Sequence, residues 1–300
     1  MQADLLKGTG TALVTPFKNN AIDEPALHKV IEFQINEGVD YLVCLGTTGE
    51  GSTLTQMESQ QVLDITVNIN NGRIPIVFGA FGGNNTEDII SKFGKFNLTG
   101  VTALLSVSPY YNKPSQKGIL EHYQRLNDFS PLPMIIYNVP GRTSSNILAE
   151  TTIQIAETCP QIIGIKEASG DLVQASKIIK YKPNNFLVLS GDDPTAIGML
   201  AAGGDGVISV IANAFPGPFS KMVRLGLANN FIEAGKIHVA LIDIHKWLYV
   251  EGNPVGIKAA MEIMGLCLKD VRLPLSAMSD ENMMHLRNAI QNFSIPALQV

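Results

Sequence analysis

Lys166 lies in the middle of the apolar run IIGIKEA, residues 162–168. Taking an ammonium out of water is costly unless it is paired or neutralised, so an apolar run that keeps a lysine has a use for it. If the run is a strand, Gly164, Lys166 and Ala168 share one face, while Ile163 and Ile165 line the other. That alternation fits a closed parallel barrel, with isoleucines packed outward on helices and the lysine pointing inward. Withdrawal from water favours the neutral amine, the nucleophilic form that traps a carbonyl as a Schiff base. The same residue also fits a lysine at a strand end whose stem returns its charge to solvent. The strand alone leaves both readings open.

Other segments carry compatible chemistry. LGTTGEGSTL, residues 45–54, places two hydroxyls and neighbouring glycines between a strand and a helix. Backbone N–H groups in such a turn form an anion pocket sized for a carboxylate or phosphate. An ordinary loop with threonine capping the next helix is the plainer alternative. YNVPGRT, residues 137–143, supplies Tyr137 as a proton carrier and Arg142 as a bidentate carboxylate partner. By itself Arg142 reads equally as a surface loop charge. Asp192-Asp193-Pro194 resembles a carboxylate pair but fits a helix start with proline in the first turn. The glycine-rich AAGGDG, residues 201–206, precedes a strand and reads as a helix stop and turn.

The elements that must position these groups follow from the pattern of the chain. Eight short apolar runs (TGTALVTPF, YLVCLG, IPIVFGA, ALLSVSP, PMIIYNVP, IIGIKEA, FLVLSGD, GVISVI) alternate with helical stretches beginning near Glu24, Gln56, Thr86, Gln116, Leu148, Asp171, Pro194 and Pro218. This is the count of an α/β TIM (β/α)8 barrel, whose chemistry gathers in the loops after the strands. An open doubly wound sheet is the rival arrangement. The reading divides the chain into a barrel, residues 1–229, and a C-terminal helical subdomain, residues 230–300.

Composition narrows the partners. A formal charge of −5 with no basic stripe or tail argues against nucleic acid. No signal pattern opens the chain and no apolar stretch suits a bilayer, so a cytoplasmic location is expected. Cys44, Cys159 and Cys267 are odd in number and far apart, and the five histidines show no ligand spacing, so neither disulfide nor metal is expected.

Taken together, GTTGE (46–50), SPYYNKPSQ (108–116), YNVPGRT (137–143), IGIKEA (163–168), LSGDD (189–193) and GVISV (206–210) resemble the pyruvate-dependent aldolase family and, within it, the dihydrodipicolinate synthases. The resemblance runs from TGTALVTPF to the helices after VEGNPVGIKAA. It implies a TIM barrel with C-terminal helices, a homotetramer built as a dimer of dimers, and condensation of pyruvate with aspartate semialdehyde in lysine biosynthesis through diaminopimelate. Lys166 matches the family's Schiff-base lysine and Tyr137 its general acid/base. Thr47 and Tyr111 match a proton relay, with Tyr111 reaching in from a neighbouring subunit. Thr48 and the backbone around Gly49 match the pyruvate carboxylate site, Ile208 a main-chain contact, and Arg142 the group that holds the semialdehyde's carboxylate. No metal or organic cofactor is implied, because the iminium is itself the electron sink.

Two rival functions stay in view: a related aldolase such as an N-acetylneuraminate lyase, and a non-catalytic barrel that binds a keto acid. GTTGE with Arg142 speaks against the first, and the intact set of Lys166, Tyr137, Thr47 and Tyr111 against the second. A feedback site for lysine, as in sensitive members of the family, would draw on Ser52, Gln56, Ser59, Glu87 and Tyr110. Gln56 and Ser59 stand where sensitive bacterial enzymes often carry more strongly polar groups, so weak or absent inhibition is expected.

Overall fold

The structure, a computed structural model, describes residues 2–295. After a 3-10 turn at Gln2–Leu6, β1 (Gly8–Ala12) leads to a small hairpin of β2 (Phe17–Lys18) and β3 (Ala21–Ile22), then α1 (Glu24–Asn36). The βα alternation continues with β4 (Tyr41–Cys44), α2 (Gln56–Asn70), β5 (Ile76–Phe81), α3 (Thr86–Phe93), β6 (Ala103–Val107) and α4 (Gln116–Phe129). It ends with β7 (Met134–Asn138), α5 (Pro140–Thr143), α6 (Ala149–Thr158), β8 (Ile162–Glu167), α7 (Leu172–Tyr181), β9 (Leu187–Ser190), α8 (Ala196–Ala201), β10 (Gly206–Ser209) and α9 (Pro216–Leu227). The eight longer strands are parallel and close in the order β1-β10-β9-β8-β7-β6-β5-β4, with β1 pairing both β10 and β4. The barrel, rather than the open sheet, is the fold.

The eight apolar runs are these eight strands, and their burial explains why they read as runs rather than as clean alternations. Val43, Val77, Leu105, Ile135, Leu189 and Ile208 pack inside the barrel, while Leu42, Phe78, Leu104, Ile136, Ile165 and Val188 pack outward against helices. A parallel strand buried on both faces needs apolar side chains on both. Helix starts fall where capping residues stand: Asp23, Thr55, Asn85, Ser115 and Asp171 each accept a hydrogen bond from a backbone N–H of the first turn.

One expectation is corrected. Ile163 does not share the outward face with Ile165: the β7–β8 register slips between Met134↔Ile162 and Ile135↔Gly164, and Ile163 packs with the inner cluster while Ile162 joins the outer one. An extra residue in one strand breaks the two-residue period locally. From Gly164 onward the period resumes.

Beyond the turn at residues 228–230, α10 (Phe231–Tyr249), α11 (Val255–Ile263) and α12 (Asp280–Gln291) follow with no strand between them. A single apolar cluster runs from Val223 of α9 through Ile237 and Leu241 of α10 to Ile257 of α11 and Leu286 of α12. Among the described residues no helix is long and apolar enough to cross a membrane, and Cys44, Cys159 and Cys267 are buried and unpaired.

Candidate active site

Strand β8 sets Lys166 between Tyr137 of β7 and Leu189 of β9, in register with both. The lysine is 5% exposed, and its Nζ lies 4.4 Å from the centroid of the Tyr137 ring. Among the described residues no carboxylate pairs with it. The adjacent Glu167 is occupied elsewhere: it accepts hydrogen bonds from Asn138 Nδ2, Gln174 Nε2 and the Ser169 N–H. Gly191, just past β9, lets the lysine stem through. A Cβ there would stand 2.8 Å from Lys166 Cε and 2.6 Å from the Ala168 Cβ.

The loop after β4 is tightly wound. Leu45 and Glu50 both take left-handed backbone conformations, with φ of 57° and 52°, which side chains disfavour. Gly49 and Gly51 sit so close to the Leu45 backbone that an added Cβ would meet it at 2.9 and 2.6 Å. Thr15 Oγ1 donates to the Gly49 carbonyl at 2.7 Å and fixes the loop from β1's side. Within this loop Thr48 is buried and accepts from Asn253 Nδ2 at 3.0 Å, while Thr47 lines a cleft of about 400 Å3 with Ser52, Lys92 and Tyr110.

Ile208 is fully buried in the inner face of β10. The turn after it is pinned by Asp193, whose Oδ2 accepts the N–H groups of Val210 and Ile211 at 2.9 and 2.8 Å. Burial pushes the Asp193 carboxyl up to about 6, against the pull of those donors. The helix-start reading of Asp192-Asp193-Pro194 therefore describes Asp192, which caps the Thr195 N–H. Asp193 does more, tying the end of β9 to the end of β10.

Arg142 is exposed in the single turn α5. Asn138 holds the far side of that loop, accepting the Ile147 N–H and donating to Asn146 Oδ1. Tyr111 is 87% exposed and takes a left-handed backbone conformation, with φ of 62°. Tyr249, at the end of α10, went unremarked in the sequence. Burial, then the charges of Asp193 and Asp192, raise its hydroxyl well above the ordinary tyrosine range, and α10 packs against the turn Asp193–Thr195 that follows β9.

The five residues weighed for a feedback site have different surroundings. Ser52 and Tyr110 share the cleft beside Thr47. Gln56 donates to the Lys95 carbonyl, Ser59 is buried, and Glu87 is paired with Arg125 at 2.9 Å. Among the described residues no group of three or more His, Cys, Asp or Glu side chains could hold a metal ion.

Sequence reasoning also passed over Lys258 of α11, which is 0% exposed and paired with Glu50. It lies in Gly256-Ile257-Lys258, the same tripeptide as Gly164-Ile165-Lys166.

Residues 5–293 match the model of the dihydrodipicolinate synthetase family. The chain belongs to that family. A 4-hydroxy-tetrahydrodipicolinate synthase of Cytophaga hutchinsonii is 48% identical over 275 residues, covering 91% of this chain and 92% of the relative. One from Parabacteroides distasonis is 45% identical over 291 residues, covering 97% and 98%. Among solved structures, dihydrodipicolinate synthase from Thermotoga maritima superposes with a TM-score of 0.93 at 36% identity, covering 96% of this chain and 98% of the other. The chloride-inhibited enzyme of Acinetobacter baumannii, complexed with pyruvate, gives 0.93 at 37% identity, covering 97% and 100%. These family members share the barrel with its C-terminal helices over nearly their whole length.

Proposed function

We infer that the chain is a lyase that condenses pyruvate with L-aspartate 4-semialdehyde to 4-hydroxy-tetrahydrodipicolinate, in lysine biosynthesis through diaminopimelate. The observation that carries this reading is Lys166, buried beside Tyr137 with no acidic partner among the described residues, in a chain whose relatives over nine-tenths of its length bear that activity's name. The Lys166 amine adds to the keto carbon of pyruvate and water leaves, giving an iminium. Loss of a methyl proton gives the enamine, whose carbon attacks the aldehyde. The amino group of the second substrate then adds to the imine carbon, and Lys166 departs as the free amine.

Tyr137 carries protons for these steps, with Thr47 and Tyr111 completing the relay. Thr48 and the Gly49 backbone take the pyruvate carboxylate, Ile208 contributes main-chain contact, and Arg142, exposed and without an ion pair among the described residues, takes the carboxylate of the semialdehyde. An exposed Tyr111 fits a site completed by a neighbouring copy, and we propose a homotetramer in the cytoplasm. Val173, Ile232 and Val239, exposed by 68, 80 and 67%, offer apolar surface for assembly. Helices α10, α11 and α12 make up the subdomain that begins at residue 230, and it meets the barrel at the loop after β4.

The test is pyruvate consumption with aspartate semialdehyde, run beside N-acetylneuraminate cleavage, with borohydride reduction in the presence of pyruvate. Turnover of the first pair and a reduced adduct on Lys166 are expected. Cleavage of N-acetylneuraminate alone, or an unlabelled Lys166, would overturn the reading. Arg142→Ala should lose semialdehyde turnover while keeping the adduct.

A further inference from the structure

The chain entering α11 reaches the β4 loop at Asn253, two residues before the helix, and at Lys258 in its first turn. Asn253, immediately before Pro254, is 6% exposed, and its Nδ2 donates to Thr48 Oγ1 at 3.0 Å. A hydroxyl has one proton and two acceptor positions. With an acceptor position filled by Asn253, the Thr48 proton turns away from α11, and among the described residues it reaches no protein acceptor. It is left for a bound anion. Lys258, whose N–H closes the first turn on the Pro254 carbonyl, donates Nζ to Glu50 Oε1 and to the Asp270 carbonyl. The other Glu50 oxygen accepts the Arg272 N–H at 3.0 Å. Glu50 is thus held on both oxygens at the left-handed residue that ends the loop. Gly256 lies so close to the Leu248 backbone of α10 that no side chain fits there, so this end of α11 is fixed against its neighbour.

We propose that the entry to α11 sets the carboxylate pocket: Asn253, before the helix, aims the Thr48 hydroxyl as a donor, and Lys258, in its first turn, holds the loop through Glu50. Both are positioning residues, and the inference rests on the reading of Thr48 as a ligand of the pyruvate carboxylate.

Asn253→Asp is the decisive variant, because it keeps shape while replacing the donor with an acceptor. The Thr48 proton would turn back toward it, and a negative charge would stand beside the anion pocket. At pH 8 the pyruvate KM should rise at least about tenfold, with kcat and the semialdehyde KM within about threefold, and the defect should shrink as the pH is lowered and the new carboxyl protonates. Asn253→Ala should raise the pyruvate KM by about tenfold at every pH. Lys258→Met combined with Glu50→Gln, which removes both buried charges, should raise the same KM. Thermal melts and borohydride trapping of wild type accompany each assay. A folded Asn253→Asp or Asn253→Ala protein with unchanged pyruvate KM overturns the proposal, as does a parallel fall in all parameters at every pH. Wild-type protein that pyruvate cannot label would instead overturn the functional reading beneath it.

Discussion

Two lysines sit in identical Gly-Ile-Lys tripeptides, one on a barrel strand and one on a C-terminal helix, and they have opposite electrostatic surroundings. Lys166 is 5% exposed, faces the Tyr137 ring and meets no carboxylate among the described residues; Lys258 is 0% exposed and bonds to Glu50 and the Asp270 carbonyl, over the ring of Phe17. Burial is common to both, so burial does not separate a reactive amine from a structural cation. The partner does. Desolvation pulls Lys258 below the ordinary lysine value, but the Glu50 carboxylate works against it and favours the ion pair. An amine with no such partner in a closed barrel is left available to a carbonyl carbon.

The largest expected difference is in labelling. Borohydride with pyruvate should leave its adduct on Lys166 alone, and Lys166→Ala should abolish it. Peptide mass mapping that placed label on Lys258 would end the distinction drawn here.

The next effect is on stability. Lys258→Met strands a buried carboxylate at Glu50, and breaking such a pair from one side costs about 3–5 kcal/mol. Adding Glu50→Gln should return most of that loss in denaturant titrations. If the single variant were as stable as wild type, Glu50 would have another counter-charge and Lys258 would not be its anchor. Lys166→Ala, in contrast, breaks no ion pair and should leave the folded state close to wild type.

A subtler change acts on the geometry of Lys166 rather than its identity. Gly191→Ala would drive a methyl group to within 2.8 Å of Lys166 Cε, and a displacement near 1 Å at a reacting atom can cost about a hundredfold in rate. Stopped-flow imine formation should slow while the melting temperature moves little. An unchanged rate would show that the lysine stem has room this packing denies.

The same contrast explains what could be read from the sequence. Lys166 stood out because a strand gives a two-residue period against which one charge is conspicuous. Val255 to Met261 of α11 are all buried, so no polar face frames Lys258, and its partner Glu50 is 208 residues away. Contacts of that separation leave no local trace. Strand and helix order were legible because apolar runs and capping residues are local. The slip at Ile163 was not, since it depends on how β8 meets β7. Likewise the hairpin β2–β3 and the turn α5 are too short to carry a period. Asn253 lay inside the matched segment VEGNPVGIKAA, yet only the folded chain brings it to Thr48.

The smallest expected effect concerns lysine itself as an effector. A free lysine docking in the cleft beside Thr47 would need for its ammonium what Lys258 has in Glu50, an uncommitted carboxylate at close range. Glu87, the acid weighed for that role, is paired with Arg125, and Lys92 lines the cleft with its own positive charge, held by Asp88 at 2.8 Å. Gln56 is turned to the Lys95 carbonyl and Ser59 is buried in α2, so two further polar contacts are absent. Each missing contact removes about 1 kcal/mol from binding, or roughly a factor of five, and the losses multiply. A lysine titration of the steady-state rate should therefore show little inhibition below millimolar concentration. Strong inhibition in the submillimolar range would mean that Arg125 releases Glu87 on binding. In that case Arg125→Ala should tighten the inhibition further.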